Sequence, residues 1–365
     1  MKRFRLSILL TLLLTSCSNG ASSSAEPSSS SSSVTPPETG ETYIRALGEA
    51  NKKSCDAEAI RLSTDNTLLK GQIQTTSDGE PANLDFRIDK FVIDAKIDGL
   101  QATDPAAVRA SVNTYMGSIS STFYASGFDF DAAVTALVDP SKGFALKIGS
   151  YIDQDACYLD LSSAAAFRII LNTLVFPLFN DPDFTRWSAR SKFSFSDGER
   201  DWLNGKLPLS NYLSEVSDDM TNRMLSVYRK NEGLFTFDQE EGVTTIAFDA
   251  GSWHQLIDIV ESFIPEQFGV NLDKVADKLT EWTSVNACKV AMSFSEEGLS
   301  TISYDFRAEF KEGVGSDSIK PVGEWCFSGD LSISSGEDAS VNPMKDKEKK
   351  LYVETSFPTY HPSSK

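Results

Sequence analysis

Histidine is nearly missing from this chain: 365 residues hold 2, His254 and His361. A histidine-based triad would rest on His254, and no G-x-S-x-G elbow supplies its nucleophile. Ser252 stands two residues before it and suits a helix cap better than a proton partner. H-E-x-x-H, a phosphate-cradling glycine loop and an EF-hand loop are also missing. The 5 cysteines form no C-x-x-C and no Cys/His cluster, so zinc ligation and dithiol redox chemistry have no spacing to support them. Positive charge is scarce as well, with 34 Lys and Arg against 52 Asp and Glu and a net charge of -18. An acidic body is repelled by phosphate backbones and anionic headgroups, so no nucleic-acid partner is expected.

The apolar stretch Leu6 to Leu14 is too short for a membrane helix, which needs about 20 residues. It follows Lys2, Arg3 and Arg5 and ends on small residues, the layout of a secretory signal. Leu14-Thr15-Ser16-Cys17 resembles the lipobox of bacterial lipoproteins position by position. The resemblance implies cleavage before Cys17, diacylglycerol on its sulfur, a palmitate-type lipid anchor, and a place on the extracytoplasmic side of the cell membrane. Removing Met1 to Ser16, with three cations and no acids, takes 34 - 52 to 31 - 52, or -21. Ser18 to Glu41, with its serine runs and Pro36-Pro37, cannot bury enough surface to repay its ordering entropy. It reads as a tether with a root-mean-square reach of roughly 25 to 30 Å.

This divides the chain into a signal peptide (1–16), a lipidated Cys17 with its tether (17–41), a folded body (42–334, with a subdivision point near 177–208) and a polar mobile tail (335–365). Within the body, Tyr43 to Ile60 has helical spacing. Leu69 to Gln74 and Leu84 to Ile88 alternate as strands, but the apolar parity slips near Asp89-Lys90 and calls for a bulge or a break. Asp104-Pro105 reads as a helix start, with Val108, Val112, Tyr115, Met116 and Ile119 as its apolar face. A short helix is expected near Asp131 to Val138. A helix with Leu213, Val216, Met220, Met224 and Val227 on one face is expected before the second of two hairpin-then-helix units, near 142–174 and 232–264; Glu240-Glu241-Gly242 supplies that unit's turn, and the repeat is either a duplication or a common motif met twice. A helix from Leu272 to Trp282 and three strands over 289–333 complete the body.

One-sided strands interleaved with amphipathic helices point to an α+β fold: a curved, largely antiparallel sheet with helices packed on one face. The order is similar to that of the half-barrel lipoproteins and carriers of the LolA and LprG type. That similarity implies a sheet closed on its concave side by helices, with acyl chains held in the gap.

Carboxylate pairs occur at Asp129 and Asp131, Asp153 and Asp155, Asp181 and Asp183, and Asp197, Glu199 and Asp201, the last with a spacing compatible with calcium. With 52 acids, solvated turns are the ordinary reading. Cys55, Cys157, Cys288 and Cys326 allow two disulfides in three connectivities, or four buried thiols. On the outer strands of one meander, Cys288 and Cys326 would lie about 9 to 10 Å apart, too far to bridge. Pro177 to Pro208 lacks a sustained period and carries Phe179, Phe184, Trp187, Phe193, Phe195 and Trp202, so it is the candidate rim of a ligand site or else a structural crossover. The expected function is non-enzymatic: a membrane-anchored lipoprotein with no cofactor beyond its covalent lipid, binding an apolar or amphipathic ligand between sheet and helices. A protein-interaction or adhesion module acting through its acidic surface or aromatic loop is the alternative, and a carbohydrate-active enzyme using two carboxylates and the loop tryptophans is the third reading.

Overall fold

Gly40–Cys55 forms the entry helix, α1, with Ile44, Leu47 and Ala50 buried along one face. The computed structural model describes residues 39–77, 80–125, 128–129, 146–172, 185–262, 272–315 and 319–357. Cys17, Phe179, Phe184, Asp131, Asp181, Asp183, His361 and the helix expected near Asp131 to Val138 lie outside the described residues.

After α1 come β1 (Ala59–Ser77), β2 (Glu80–Asp98), β3 (Arg109–Ala125), β4 (Phe128–Asp129), β5 (Leu146–Ile152) and β6 (Ala156–Asp160). Next are α2 (Ala165–Ile170), β7 (Arg190–Ser194), α3 (Asp197–Asn204) and α4 (Leu209–Lys230). The second half holds β8 (Phe235–Glu240), β9 (Val243–Asp249), α5 (Trp253–Ser262), α6 (Asp273–Trp282), β10 (Thr283–Ser295), β11 (Gly298–Phe310), β12 (Ile319–Pro321) and β13 (Glu324–Ser335). A short helix, α7 (Asp346–Lys349), and β14 (Val353–Glu354) follow. All the described strands join one curved, open 14-stranded sheet in the order β14-β7-β6-β5-β3-β2-β1-β13-β11-β10-β9-β8, with β12 on β1 and β4 on β3. Every described pairing is antiparallel except β14 with β7. The α+β class and the largely antiparallel sheet are as the alternation implied.

Four of the described helices, α1, α4, α5 and α6, gather on the second half of the sheet. α1 lies over β8 to β11, α4 packs on α1, α5 on α4, and α6 on α5 and β10. β9 shows the division, with Thr244, Ile246 and Phe248 buried and Val243 and Asp249 exposed. Glu241 and Gly242 turn β8 into β9 with φ of 50° and 82°, the mirror-image turn that matches strand twist.

The segment after Pro105 departs from the expected helix. Asp104 accepts the Ala106 N–H at 2.9 Å and starts only a 3-10 turn, Pro105–Ala107. Val112, Tyr115, Met116 and Ile119 then run on in β3. This stretch is rich in Ser, Thr and aromatic residues, which favour a strand, and β2 supplies a partner from Asp98 opposite Arg109 to Asn83 opposite Tyr124. The parity slip does not break β2, which pairs with β3 in one register. It is absorbed where β1 shifts against β2 between Thr64 and Leu69.

Both hairpin-then-helix units are present, β5–β6 with α2 and β8–β9 with α5. In each, the next strand, β7 or β10, returns beside the second strand of the hairpin. The C-terminal segment, expected to be a mobile tail, folds back through residue 357. Val341 is buried with Tyr151, Ala156 and Tyr158, Lys349 Nζ meets Asp153 Oδ2 at 2.5 Å, and β14 adds to the edge of β7. Its charges hide the few apolar residues, Val341, Tyr352 and Phe357, that dock it.

Candidate functional site: an apolar cleft beneath the first helix

α1 and α4 lie side by side and antiparallel, in unusually close approach. A Cβ on Gly48 would stand 2.2 Å from Thr221 Oγ1, and one on Gly40 would stand 2.2 Å from the Tyr228 hydroxyl. Glycine at these positions is therefore a packing requirement. Asn51 Nδ2 donates to Ser217 Oγ at 2.6 Å, Lys52 meets Asp218 at 2.5 Å, and Glu41 takes two hydrogen bonds from Arg229 at 2.6 and 2.9 Å. These bonds hold the Glu41 carboxyl below its ordinary range, with the Arg229 hydrogen bond the largest cause.

Beneath this helix pair and above β10 and β11 lies a cleft lined by Ile44, Leu47, Gly48, Asn51, Ser217, Met220, Thr221, Met224, Met292, Leu299 and Ile302. None of these side chains ionises. The cleft measures about 430 Å³ out to its mouth but holds only about 30 Å³ of free space at depth. Three of its walls are methionines, flexible and polarizable side chains that repack around irregular shapes. Asn51 Nδ2 is already bonded to Ser217 Oγ, and Thr221 Oγ1 donates to Ser217 O at 2.7 Å, so the lining's polar side chains are engaged with the protein.

The four described aromatic residues of those expected to rim a site, Trp187, Phe193, Phe195 and Trp202, are taken up in other contacts. Phe193 is buried on β7, and its ring stacks on Phe357 at 4.2 Å while Trp187 meets both edge-on. Trp187 Nε1 donates to Ser356 O at 3.2 Å. Phe195 packs against the main core, and Trp202 on α3 meets the Tyr212 ring at 6.1 Å. None of these four lines the cleft. The stretch 185–208 is a structural crossover that contains β7 and α3, so its lack of period reflects two short elements in succession.

The carboxylate groupings resolve into local structure where they are described. Glu199 accepts from Ser196 N and Oγ at 2.8 and 2.7 Å in a capping box, and Asp197 pairs with Arg200 at 2.5 Å. Asp153 accepts the N–H groups of Asp155 and Ala156 at 3.0 and 3.1 Å. His254 meets Asp277 at 3.0 Å on the exposed side of α5. Among the described residues no group of three or more His, Cys, Asp or Glu could hold a metal ion. All four described cysteines are free and buried, so neither disulfide forms. Cys288 and Cys326 flank β11, and the registers through Phe306 and Phe327 put them on opposite faces of the sheet. Burial pushes the thiols of Cys157 and Cys288 up to about 12.

The apolar face of α4, with Met220 and Met224, is legible from periodicity. Its facing partner was not, because Gly48 inside an amphipathic helix looks like a weak position until the neighbouring helix is seen. No protein-family model matches the chain, and no curated protein is similar to it.

Proposed function

We propose that this protein is a lipid-anchored extracytoplasmic lipoprotein that holds an apolar or amphipathic ligand between its helices and its sheet. The observation that carries the reading is the cleft between α1, α4 and β10–β11: wholly non-ionising, rich in methionine, and placed where sheet and helices meet. Such a lining selects for apolar shape and gives no grip on a charged head. The lipobox resemblance at Leu14 to Cys17 supports the anchor, and the acidic body, which anionic headgroups repel, suits a protein held at a membrane by its lipid rather than by its surface.

Native mass spectrometry of the purified protein, followed by organic extraction, tests the reading. A co-purifying lipid near one per chain is the expected result. A clean apo mass, with no uptake from a panel of lipids, would sink it. The reading would then pass to protein interaction, which has an observation of its own: Val275 and Trp282, seven residues apart on α6, are 47% and 42% exposed.

A further inference from the structure

Ligand entry to the cleft requires a wall to move. The cleft offers about 30 Å³ of free space, far below the few hundred Å³ that a bound apolar ligand needs. The walls differ in how they are held. β10 and β11 are interior strands, each hydrogen-bonded along both edges. α4 is tied at its first turn, where the Ser210 N–H donates to Leu100 O at 3.0 Å and Ser210 Oγ donates to Gln101 Oε1 at 2.9 Å. Further along, Arg223 donates to Glu261 O, and Leu209, Leu213 and Leu225 are buried in the core.

α1 is fastened differently at its two ends. At the C-terminal end Gln101 Nε2 donates to Cys55 O at 3.3 Å. Just beyond, Glu58 O accepts the N–H groups of Gly99 and Leu100 at 3.1 and 3.0 Å, and β1 begins at Ala59. The N-terminal half is held by side chains: the exposed Glu41–Arg229 pair and the Tyr43 ring stacked on Phe237 at 5.2 Å. Apart from the Glu41–Arg229 pair, its approach to α4 runs over Gly40 and Gly48, which carry no side chain to interlock.

We propose that α1 is a hinged cover that turns about residues 55–58 and lifts at its Gly40 end, with the Glu41–Arg229 pair as its clasp. This rests on the apolar-ligand reading and assigns that site its gate. Lifting uncovers Ile44 and Leu47, and the ligand replaces the apolar contacts they lose. The portal then opens at the end of α1 from which the chain leads back toward Cys17.

The test is a lock. A Cβ on Gly48 would lie 3.1 Å from Thr221 Cβ, a few tenths of an ångström closer than the roughly 3.5 to 4.5 Å of a disulfide, so the bond forms with a slight parting of the two helices. The full chain carrying Gly48→Cys and Thr221→Cys is oxidised, its bond is verified by mass, and uptake of a fluorescent fatty-acyl probe is followed. We expect uptake at least tenfold slower than in the unmodified protein, with the rate restored by reductant. Unchanged uptake by the locked chain would overturn the hinge. Absence of uptake by the unmodified protein would overturn the cleft reading instead. Two further measurements leave the helix contact intact. Arg229→Gln should speed uptake severalfold, and amide exchange in the unmodified protein should be faster over residues 42–48 than over 52–55. An unchanged Arg229→Gln rate, or the reverse order of exchange, counts against the hinge.

Discussion

At the scale of single residues, glycines of the same type are held in place by opposite pressures. Gly48 sits in the middle of α1, where alanine would ordinarily gain about 1 kcal/mol of helix stability. Here the added methyl would meet Thr221 Oγ1, Cγ2 and Cβ at 2.2, 2.9 and 3.1 Å, so the two helices must part. Overpacking of this kind costs about 1 to 3 kcal/mol. Gly48→Ala is therefore expected to destabilise, and adding Thr221→Ala should recover part of the loss, so the double variant is more stable than the sum of the single ones. Urea denaturation of the four proteins measures this coupling, and additive losses would show that the contact does not set the helix spacing. Gly198 in α3 is the counter-example, with nothing within 4 Å of its position for a Cβ. Gly198→Ala should stabilise by about 0.4 to 1 kcal/mol, through the unfolded chain and helix propensity together. A raised urea midpoint with an unchanged slope would show it.

At the scale of elements, the C-terminal strap shows what a sequence conceals. Residues 335–357 read as polar because their docking residues are single and far apart, whereas periodicity needs several apolar positions in one element. The strap is recognised instead by a few specific contacts. Thr355 N–H donates to Lys192 O at 2.8 Å, the Ser194 N–H donates to Glu354 Oε1 at 3.1 Å, and Phe357 packs against both Trp187 and Phe193. Burial pushes the Glu354 carboxyl up, but the hydrogen bonds from Ser194 and Lys192 outweigh it and leave the group below its ordinary value of 4.5. Its contribution is thus complete above 4.5 and is lost as the pH falls through the lowered value. Lys349 is the reverse case: its bond to Asp153 outweighs burial and raises it above 10.5, so its contribution is complete below 10.5 and lost above the raised value. Amide exchange of residues 346–357, corrected for intrinsic rates, should therefore be slowest near neutral pH and accelerate at both extremes. Glu354→Gln should remove the acid limb alone, and a strap equally protected at pH 3 and pH 7 would contradict the assignment. The same logic explains which elements were legible. The β8–β9 hairpin announced itself through Glu240-Glu241-Gly242 and alternation, and α4 through its apolar face. β3 did not, because Val108, Val112, Tyr115 and Met116 happen to satisfy a helical spacing and only the pairing offered by β2 decides between the two. The cleft was the least legible feature, since it depends on how α1 meets α4 over β10 and β11.

At the scale of the whole molecule, the cysteines join the fold to the question of anchoring. An exported chain with four buried cysteines would ordinarily be read as carrying two disulfides, yet the sheet keeps these thiols apart. Cys288 and Cys326 face opposite sides with β11 between them, and Cys55 and Cys157 lie buried on α1 and β6. Desolvation holds Cys157 and Cys288 far from the thiolate form, which is the species that attacks oxidants and disulfides. The native protein should therefore react negligibly with an aromatic disulfide reagent, and reductant should leave its melting temperature unchanged. Alkylation after unfolding, mapped by peptide mass, then separates the outcomes. Label on Cys55, Cys157, Cys288 and Cys326 with none on Cys17 is what the proposed anchor requires, because a diacylglycerol thioether would leave no thiol at that position. Label on all five would retain the fold but remove the lipid anchor, and with it the reason for a tether. Label on Cys288 and Cys326 appearing only after reduction would mean that the sheet does not keep these two thiols apart, and the register across β10, β11 and β13 would have to be wrong. The thiol map thus tests the anchor and the sheet independently, since Cys17 reports on the one and the pair flanking β11 on the other.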